Sequence, residues 1–223
     1  MARVRQERAE ITRQAILDGA AIAFDHAGFG GTSLSDVVKH AGVTKGALYF
    51  HFPSKQALAR TLVDEQFQVS AGVPEAIDDP GLQTVIDLTH QMAFGLRTNV
   101  RIRAGIRLVI EFGSFTDPDP SPYNSWIETC RSCLTPAQER GDLLPSVDVH
   151  DLSTFLVGSF TGVQVTSYVR TGREDLHARI LDLWTHLLPG IVPADRLALF
   201  DPAGSPECRR QFDLPTAPPL PVP

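Results

Sequence analysis

Ser33 and Thr44 each stand just ahead of a short apolar-patterned run, Gly42 falls between the two runs, and Pro53 closes the second. Ser33-Leu34-Ser35-Asp36 has the form of a capping box, in which the Ser33 side chain accepts from the Asp36 backbone N–H and Asp36 reaches back. The helix it opens offers Leu34, Val37, Val38 and Ala41 to a core and stops at Gly42, a residue that tolerates a left-handed cap. Thr44 then caps a second helix over 45–51, which ends at Phe52 because Pro53 disfavours helical dihedrals in the residue before it. Two short helices joined through Ala41-Gly42-Val43 form a helix-turn-helix: Gly42 allows the tight turn and Val43 fills the wedge.

Helical periodicity runs through nearly all the rest, so the fold class read from the sequence is all-α. Ile16, Ala20, Ala23, Phe24 and Ala27 make one apolar stripe and predict a helix over 10–27, with Gly28 just past its end and Phe29-Gly30-Gly31 as a loop. Ser54 caps a long helix to about residue 70. Further helices are expected at 82–98, 101–112, 122–140, 149–170 and 174–188, Pro136 interrupting the one that follows Trp126. The domains read from this pattern are a three-helix DNA-binding unit over 1–53, a helical ligand-binding and dimerisation domain over 54–200, and a flexible Pro-rich tail over 201–223.

Charge narrows the function. The net charge of −6 argues against indiscriminate nucleic-acid binding, but residues 1–60 carry eight basic groups against five acidic ones. A basic end on an acidic body can present one face to phosphate while the body repels it. Apolar stretches are too short for a membrane span, and the basic N-terminus lacks the apolar segment of a secretion signal. Three cysteines do not make a disulfide framework. The chain is expected to be cytoplasmic.

In a helix-turn-helix the first residues of the second helix meet base edges while flanking groups hold phosphates. Lys45 offers a cation to guanine, Gly46 and Ala47 let the backbone approach the groove, and Tyr49 and His51 add polar-tipped rings; Leu48 and Phe52 form the buried side. Ser33, Thr44 and Lys55 are suited to phosphate oxygens. Chemistry of other kinds finds little support. Gly28-Phe29-Gly30-Gly31 lacks the Lys-Ser/Thr of a phosphate loop, and Cys130-Arg131-Ser132-Cys133 lies in a helical stretch without a second cysteine pair. The histidines have no metal-ligand spacing, and Asp117 and Asp119 sit among prolines. No enzyme activity, cofactor or metal is expected.

Thr32-Ser33-Leu34 followed by the unbroken run from Ala41 through Lys55 resembles the DNA-binding domain of the TetR family of repressors. The resemblance implies an all-helical homodimer in which ligand binding to the C-terminal core changes the spacing of two recognition helices and releases operator DNA. Arg103-Ala104-Gly105-Ile106-Arg107-Leu108, with Ser121-Pro122-Tyr123-Asn124-Ser125-Trp126, is similar to the γ-butyrolactone autoregulator receptors of actinobacteria, which control antibiotic production. That narrower likeness implies a pocket with Trp126 in its wall. The expected signal is of γ-butyrolactone, furan or butenolide type; the alternatives are a TetR-type sensor of another apolar ligand and a pseudo-receptor that does not bind butyrolactones.

With Trp126, the expected pocket takes Thr161 and Gln164 as polar groups and Cys130, Leu88, Met92, Ile106 and Ile110 as apolar lining. The stretch 152–168 is apolar on two sides: Leu152, Phe155, Leu156, Ser159, Val163 and Tyr168 on one, Val157, Thr161 and Val165 on another. A helix of that kind is buried on both faces, one of them against a partner subunit. Gly158 and Gly162 permit close helix approach, and Leu176, Ile180, Leu183, Trp184, Leu187 and Leu188 supply a second helix for a four-helix dimer interface. The expected partners are operator DNA, a small-molecule signal and a second copy of the chain, with no membrane.

Overall fold

The computed structural model describes residues 2–71, 79–111 and 119–214, and no strand occurs among them. The helices are α1 (Ala2–Gly31), α2 (Leu34–Ala41), α3 (Lys45–His51), α4 (Lys55–Ala71), α5 (Leu82–Thr98), α6 (Val100–Glu111), α7 (Ser121–Glu139), α8 (Val149–Thr171), α9 (Leu176–Ile191) and α10 (Pro206–Phe212). Two compact units result, Met1–Val69 with Asn99–Pro122, and Ser70–Thr98 with Tyr123–Pro223. This division differs from the boundary expected after residue 53: α4 as far as Val69 and all of α6 belong with the first unit. The expected connection around Gly72-Val73-Pro74, Asp117 and residues 215–223 lie outside the described residues.

In the first unit, α1 fully buries Ile16, Leu17, Ala20, Ala21 and Phe24, and it packs on α2 and α6. Burying a large apolar side chain contributes about 1.5–3 kcal/mol, so this stripe anchors the unit. Charge pairs then tie α6 to α1: Arg101 to Asp18 at 2.6 Å and Arg103 to Asp25 at 2.8 Å. These partners are some eighty positions apart, which is why sequence pattern left α6 with the body.

The helix read over 10–27 does end at Gly28, but residues 29–31 form a further helical turn and not a loop. Helical hydrogen bonding continues to Gly31 across a break at Gly28, whose φ of 68° and ψ of −177° are dihedrals essentially reserved for glycine. The Phe29 N–H freed by the break donates to Glu111 Oε2 at 2.7 Å. Glu111 is held in turn by Arg107 Nε at 2.8 Å, and Arg107 donates to the Asp25 carbonyl at 2.7 Å. The predicted capping box is present: Asp36 N–H donates to Ser33 Oγ at 3.2 Å and Ser33 N–H to Asp36 Oδ2 at 2.9 Å. Gly42, at φ 65°, ends α2 in the left-handed cap that turns the chain toward α3.

The second unit is built on α5, α7, α8, α9 and α10. Trp184 is fully buried, and its indole N–H donates to Thr89 Oγ1 on α5 at 2.9 Å. Leu176, Ile180 and Leu188 are buried on the same α9 face, where the helix meets α5 and α8. Four of the six residues expected at a dimer interface are therefore core of the single chain, while Leu183 and Leu187 are half-buried. Pro136 does not interrupt α7, which runs unbroken from Ser121 to Glu139. The residues around the missing N–H, Cys133, Leu134 and Ala137, are all fully buried, and their packing outweighs the local cost.

The tail expected over 201–223 is ordered as far as residue 214. Ser205 caps α10 and Pro206 occupies its first turn. The Ser205 N–H donates to Asp87 Oδ1 at 2.7 Å, Gln83 Oε1 accepts from Asp201 N–H at 2.8 Å, and Phe212 packs on Phe94 at 4.9 Å between ring centroids. Proline marks a helix start here, and the acceptors that dock the segment lie on α5. Pro202 O accepts from His90 Nε2 at 3.0 Å. With that proton fixed, a neutral His90 has Nδ1 as acceptor for His177 Nδ1–H, 3.4 Å away.

Candidate functional site

The short α3 sorts its residues cleanly. Leu48 is fully buried and Phe52 nearly so, the two positions read as the inner side. Lys45, Gly46, Tyr49 and Phe50 are exposed, while Ala47 and His51 are half-buried. Positions 45, 46, 49 and 50 share one helix face. Thr44 caps the helix by accepting from Ala47 N–H at 3.2 Å, leaving its hydroxyl proton to donate outward. Lys45, Gly46, Ala47, Tyr49 and Thr44 thus fall at or beside one surface at the start of α3, and His51 lies at its flank.

Two expected phosphate contacts are otherwise engaged. Lys55 Nζ donates to the Phe29 carbonyl at 2.7 Å and the Thr32 carbonyl at 2.8 Å, and it sits 4.2 Å above the Phe29 ring. Its charge closes the end of α1 onto the start of α4, because the last carbonyls of a helix lack intrahelical donors. Ser33 Oγ donates to Asp36 Oδ2 at 2.6 Å, and the hydrogen bonds from Ser33 hold the Asp36 carboxyl below its ordinary value. A hydroxyl committed to a neighbouring carboxylate has no proton for a phosphate. Phe50 is the surface residue that sequence reading passed over. At 79% it is the most exposed large apolar side chain among the described residues. Its spacing of four from Gly46 was the available signal.

The eight expected ligand residues do not gather in one unit. Leu88 and Met92 on α5, Trp126 and Cys130 on α7, and Thr161 and Gln164 on α8 belong to the second; Ile106 and Ile110 on α6 belong to the first, and Ile110 is 48% exposed. Trp126, Met92, Thr161 and Ile106 are half-buried, and Leu88 and Cys130 are buried. Burial pushes the Cys130 thiol up to about 12, so it is an uncharged, apolar group. Thr161 Oγ1 donates to the Val157 carbonyl at 2.8 Å within its own helix.

Gln164 is 1% exposed and has a polarity set by its surroundings. Its Oε1 accepts from Arg173 Nη2 at 3.0 Å, and only the oxygen of the amide can do so. Nε2 is then a buried donor with no hydrogen-bond partner among the described residues. The second unit also carries an open polar cleft of about 540 Å³, lined by Arg131, Gln138, Asp148 and His150 among others. None of the eight expected residues borders it.

On α8, Leu152, Leu156, Gln164 and Ser167 turn inward. Phe155 (55% exposed), Val165 (37%) and Val169 (77%), with Gly158 and Gly162 between them, turn to solvent. Phe155 thus leaves the stripe of Leu152 and Leu156 to which its sequence position had assigned it.

Residues 16–62 match the family described as "Bacterial regulatory proteins, tetR family", and residues 80–193 match the "Tetracyclin repressor-like, C-terminal domain". The A-factor receptor protein of Streptomyces griseus is 40% identical over 200 residues, 90% of this chain and 71% of that protein. The chain belongs to the TetR family. Among solved structures, a γ-butyrolactone receptor described as ArpA-like is 34% identical with a TM-score of 0.71, over 86% of this chain and 93% of that one. The TetR-family protein CprB of Streptomyces coelicolor, solved with its biological operator sequence, is 37% identical with a TM-score of 0.72, over 86% and 94%. This chain is therefore a TetR-type repressor closely related to A-factor and butyrolactone receptors. The relatives are transcriptional regulators, and no described helix is long and apolar enough to cross a membrane.

Proposed function

We propose that the chain is a dimeric repressor that binds a pseudo-palindromic operator through α3 and is released by a diffusible lactone-type signal acting on the helical body, controlling genes of antibiotic production. The observation that carries the DNA half is the α3 surface: a cation, a bare backbone position and an aromatic hydroxyl share one exposed face above fully buried Leu48. The dimer half rests on the solvent-facing stripe of α8, where exposed Phe155, Val165 and Val169 flank two glycines. A contiguous apolar stripe of that kind marks a protein interface. For the ligand, Trp126 offers a flat wall, and the buried Gln164 Nε2 offers one donor to a carbonyl or hydroxyl oxygen. Likeness to receptors whose names specify A-factor and γ-butyrolactone supports the lactone class.

The mechanical argument is a difference in affinity. A ligand shifts a two-state equilibrium only as far as it prefers one state. The states here are two spacings of paired α3 helices, and α4 is the element that leaves α3 directly for the body. The test is an electrophoretic shift on DNA upstream of the chain's own gene, with γ-butyrolactone, furan and butenolide probes. A shift abolished by one class names the signal. A shift that none abolishes removes the lactone reading and leaves a repressor without that response; no shift at all removes the DNA reading.

A further inference from the structure

Phe50 has an exposed ring with no evident task in the fold. A phenylalanine 79% exposed forgoes the burial that favours such side chains, on a helix whose other large aliphatic residue, Leu48, is fully covered. Its ring stands edge-on to His51, 5.0 Å between centroids at 88°, which limits the directions it can take. Side chains on a helix lean over the preceding turn, and the residue one turn before Phe50 is Gly46. A methyl built at Gly46 would meet nothing within 4 Å. The space outward of Gly46 is therefore open, and the Phe50 ring stands one turn on from it as a small apolar step on the face that carries Lys45.

We propose that Phe50 reads the C5-methyl group of a thymine in the major groove of the operator, beside the base contacted by Lys45. The inference rests on the proposed DNA role of α3 and names the feature that this face selects. Base edges in the major groove present donors, acceptors and one apolar group, the thymine methyl. An apolar ring gains nothing from phosphate or from the polar edges, whereas a methyl against it leaves water on both sides. Gly46 allows the approach, since no side chain stands between backbone and base.

The experiment starts from duplexes selected out of a random pool by the full-length protein. Each thymine of the selected half-site is replaced by deoxyuridine, which removes only the methyl, and binding is measured for wild type and Phe50→Ala. For wild type, one thymine per half-site should stand out, its replacement weakening binding about three- to five-fold, the worth of roughly one buried carbon. Phe50→Ala, which removes the ring from both subunits, should bind the thymine duplex as weakly as wild type binds a duplex replaced in both half-sites, and be indifferent to the replacement, with its melting temperature and salt slope unchanged, because the ring is neither core nor phosphate contact. Selective binding in which every replacement is neutral, or in which the same thymine matters equally in Phe50→Ala, overturns the methyl assignment alone. A pool that yields no consensus overturns the DNA reading and this one with it.

Discussion

Replacing Gly28 by alanine tests how the first unit is held together. The backbone there has φ 68° and ψ −177°, and a Cβ would lie 2.5 and 2.6 Å from the two oxygens of Glu111 and 2.9 Å from an Arg107 nitrogen. A side-chain end in free solvent would swing aside at little cost. Glu111 is not in that position: it accepts the Phe29 N–H and is bonded to Arg107, which grips the Asp25 carbonyl. Alanine thus meets both strained dihedrals, at about 1–3 kcal/mol, and expulsion of Glu111. Expulsion leaves a part-buried N–H without its partner, a further ~1–3 kcal/mol. We expect a total of about 3 kcal/mol, which for a chain of this size lowers the melting temperature by roughly 6–12 °C. Glu111→Gln, which keeps the shape and loses the charge, should fall between wild type and Gly28→Ala. Calorimetry with denaturant titration decides. If Gly28→Ala melts within a degree or two of wild type, the break relaxes freely and the Glu111 contact carries none of the stability assigned to it.

Lys55→Met should destabilise the protein by about 1–3 kcal/mol through loss of its hydrogen bonds to the Phe29 and Thr32 carbonyls, yet leave the salt slope of DNA binding unchanged; a slope reduced by ~0.9 would return Lys55 to the phosphate contacts. Val169→Asp places a charge on a side chain 77% exposed in the single chain, so sedimentation should show the dimer dissociating while helix content holds, and an intact dimer would move the interface elsewhere. The His90–His177 pair predicts a pH dependence. Burial lowers His177 to about 4 and lowers His90 as well, so both rings are neutral in the fold while an unfolded histidine titrates near 6.5. Their contribution is complete above that value and is lost as pH falls from about 6.5 toward 4. Between pH 7 and 5 the loss from His177 should be about 1 kcal/mol, discounted from ~2 for its partial exposure. His177→Gln should flatten that limb of a stability–pH curve, and an unchanged limb would assign it to other groups.

The starts and ends of α2 to α8 were legible because they depend on neighbours in sequence. Ser33 with Asp36, Thr44 with Ala47, Gly42 at positive φ and Pro53 act within four residues, and each does in the fold what its chemistry implies. What was not legible depends on partners far along the chain. Arg101, Arg103 and Arg107 carry α6 to α1, and nothing in their spacing names Asp18 or Asp25 as the acceptors. Trp184 looked like an interface residue by periodicity alone; its indole N–H had a partner on α5, Thr89, ninety-five positions away.

The same distinction separates the two halves of the candidate site. A helix in the DNA groove is read from its outward face, and on α3 one buried residue, Leu48, fixes which side that is. Lys55 escaped this logic because its partners are main-chain carbonyls at the end of α1, more than twenty positions upstream. A ligand residue has no such local marker. Gln164 was recognisable as a polar group on an apolar helix, but which end of its amide can serve a ligand is decided by Arg173. Arg173 reaches it only because the chain reverses through Gly172 at φ 64° and Arg173 itself at φ 73°. The guanidinium claims the oxygen and leaves the nitrogen, so this position favours ligands that present an acceptor. A lactone carbonyl meets that requirement, and a purely hydrocarbon ligand would leave the Gln164 donor buried and unpaired, at about 1–3 kcal/mol. On the proposed reading of Gln164 as a ligand contact, chemical selectivity in the body depends on a turn outside the helix that carries that residue.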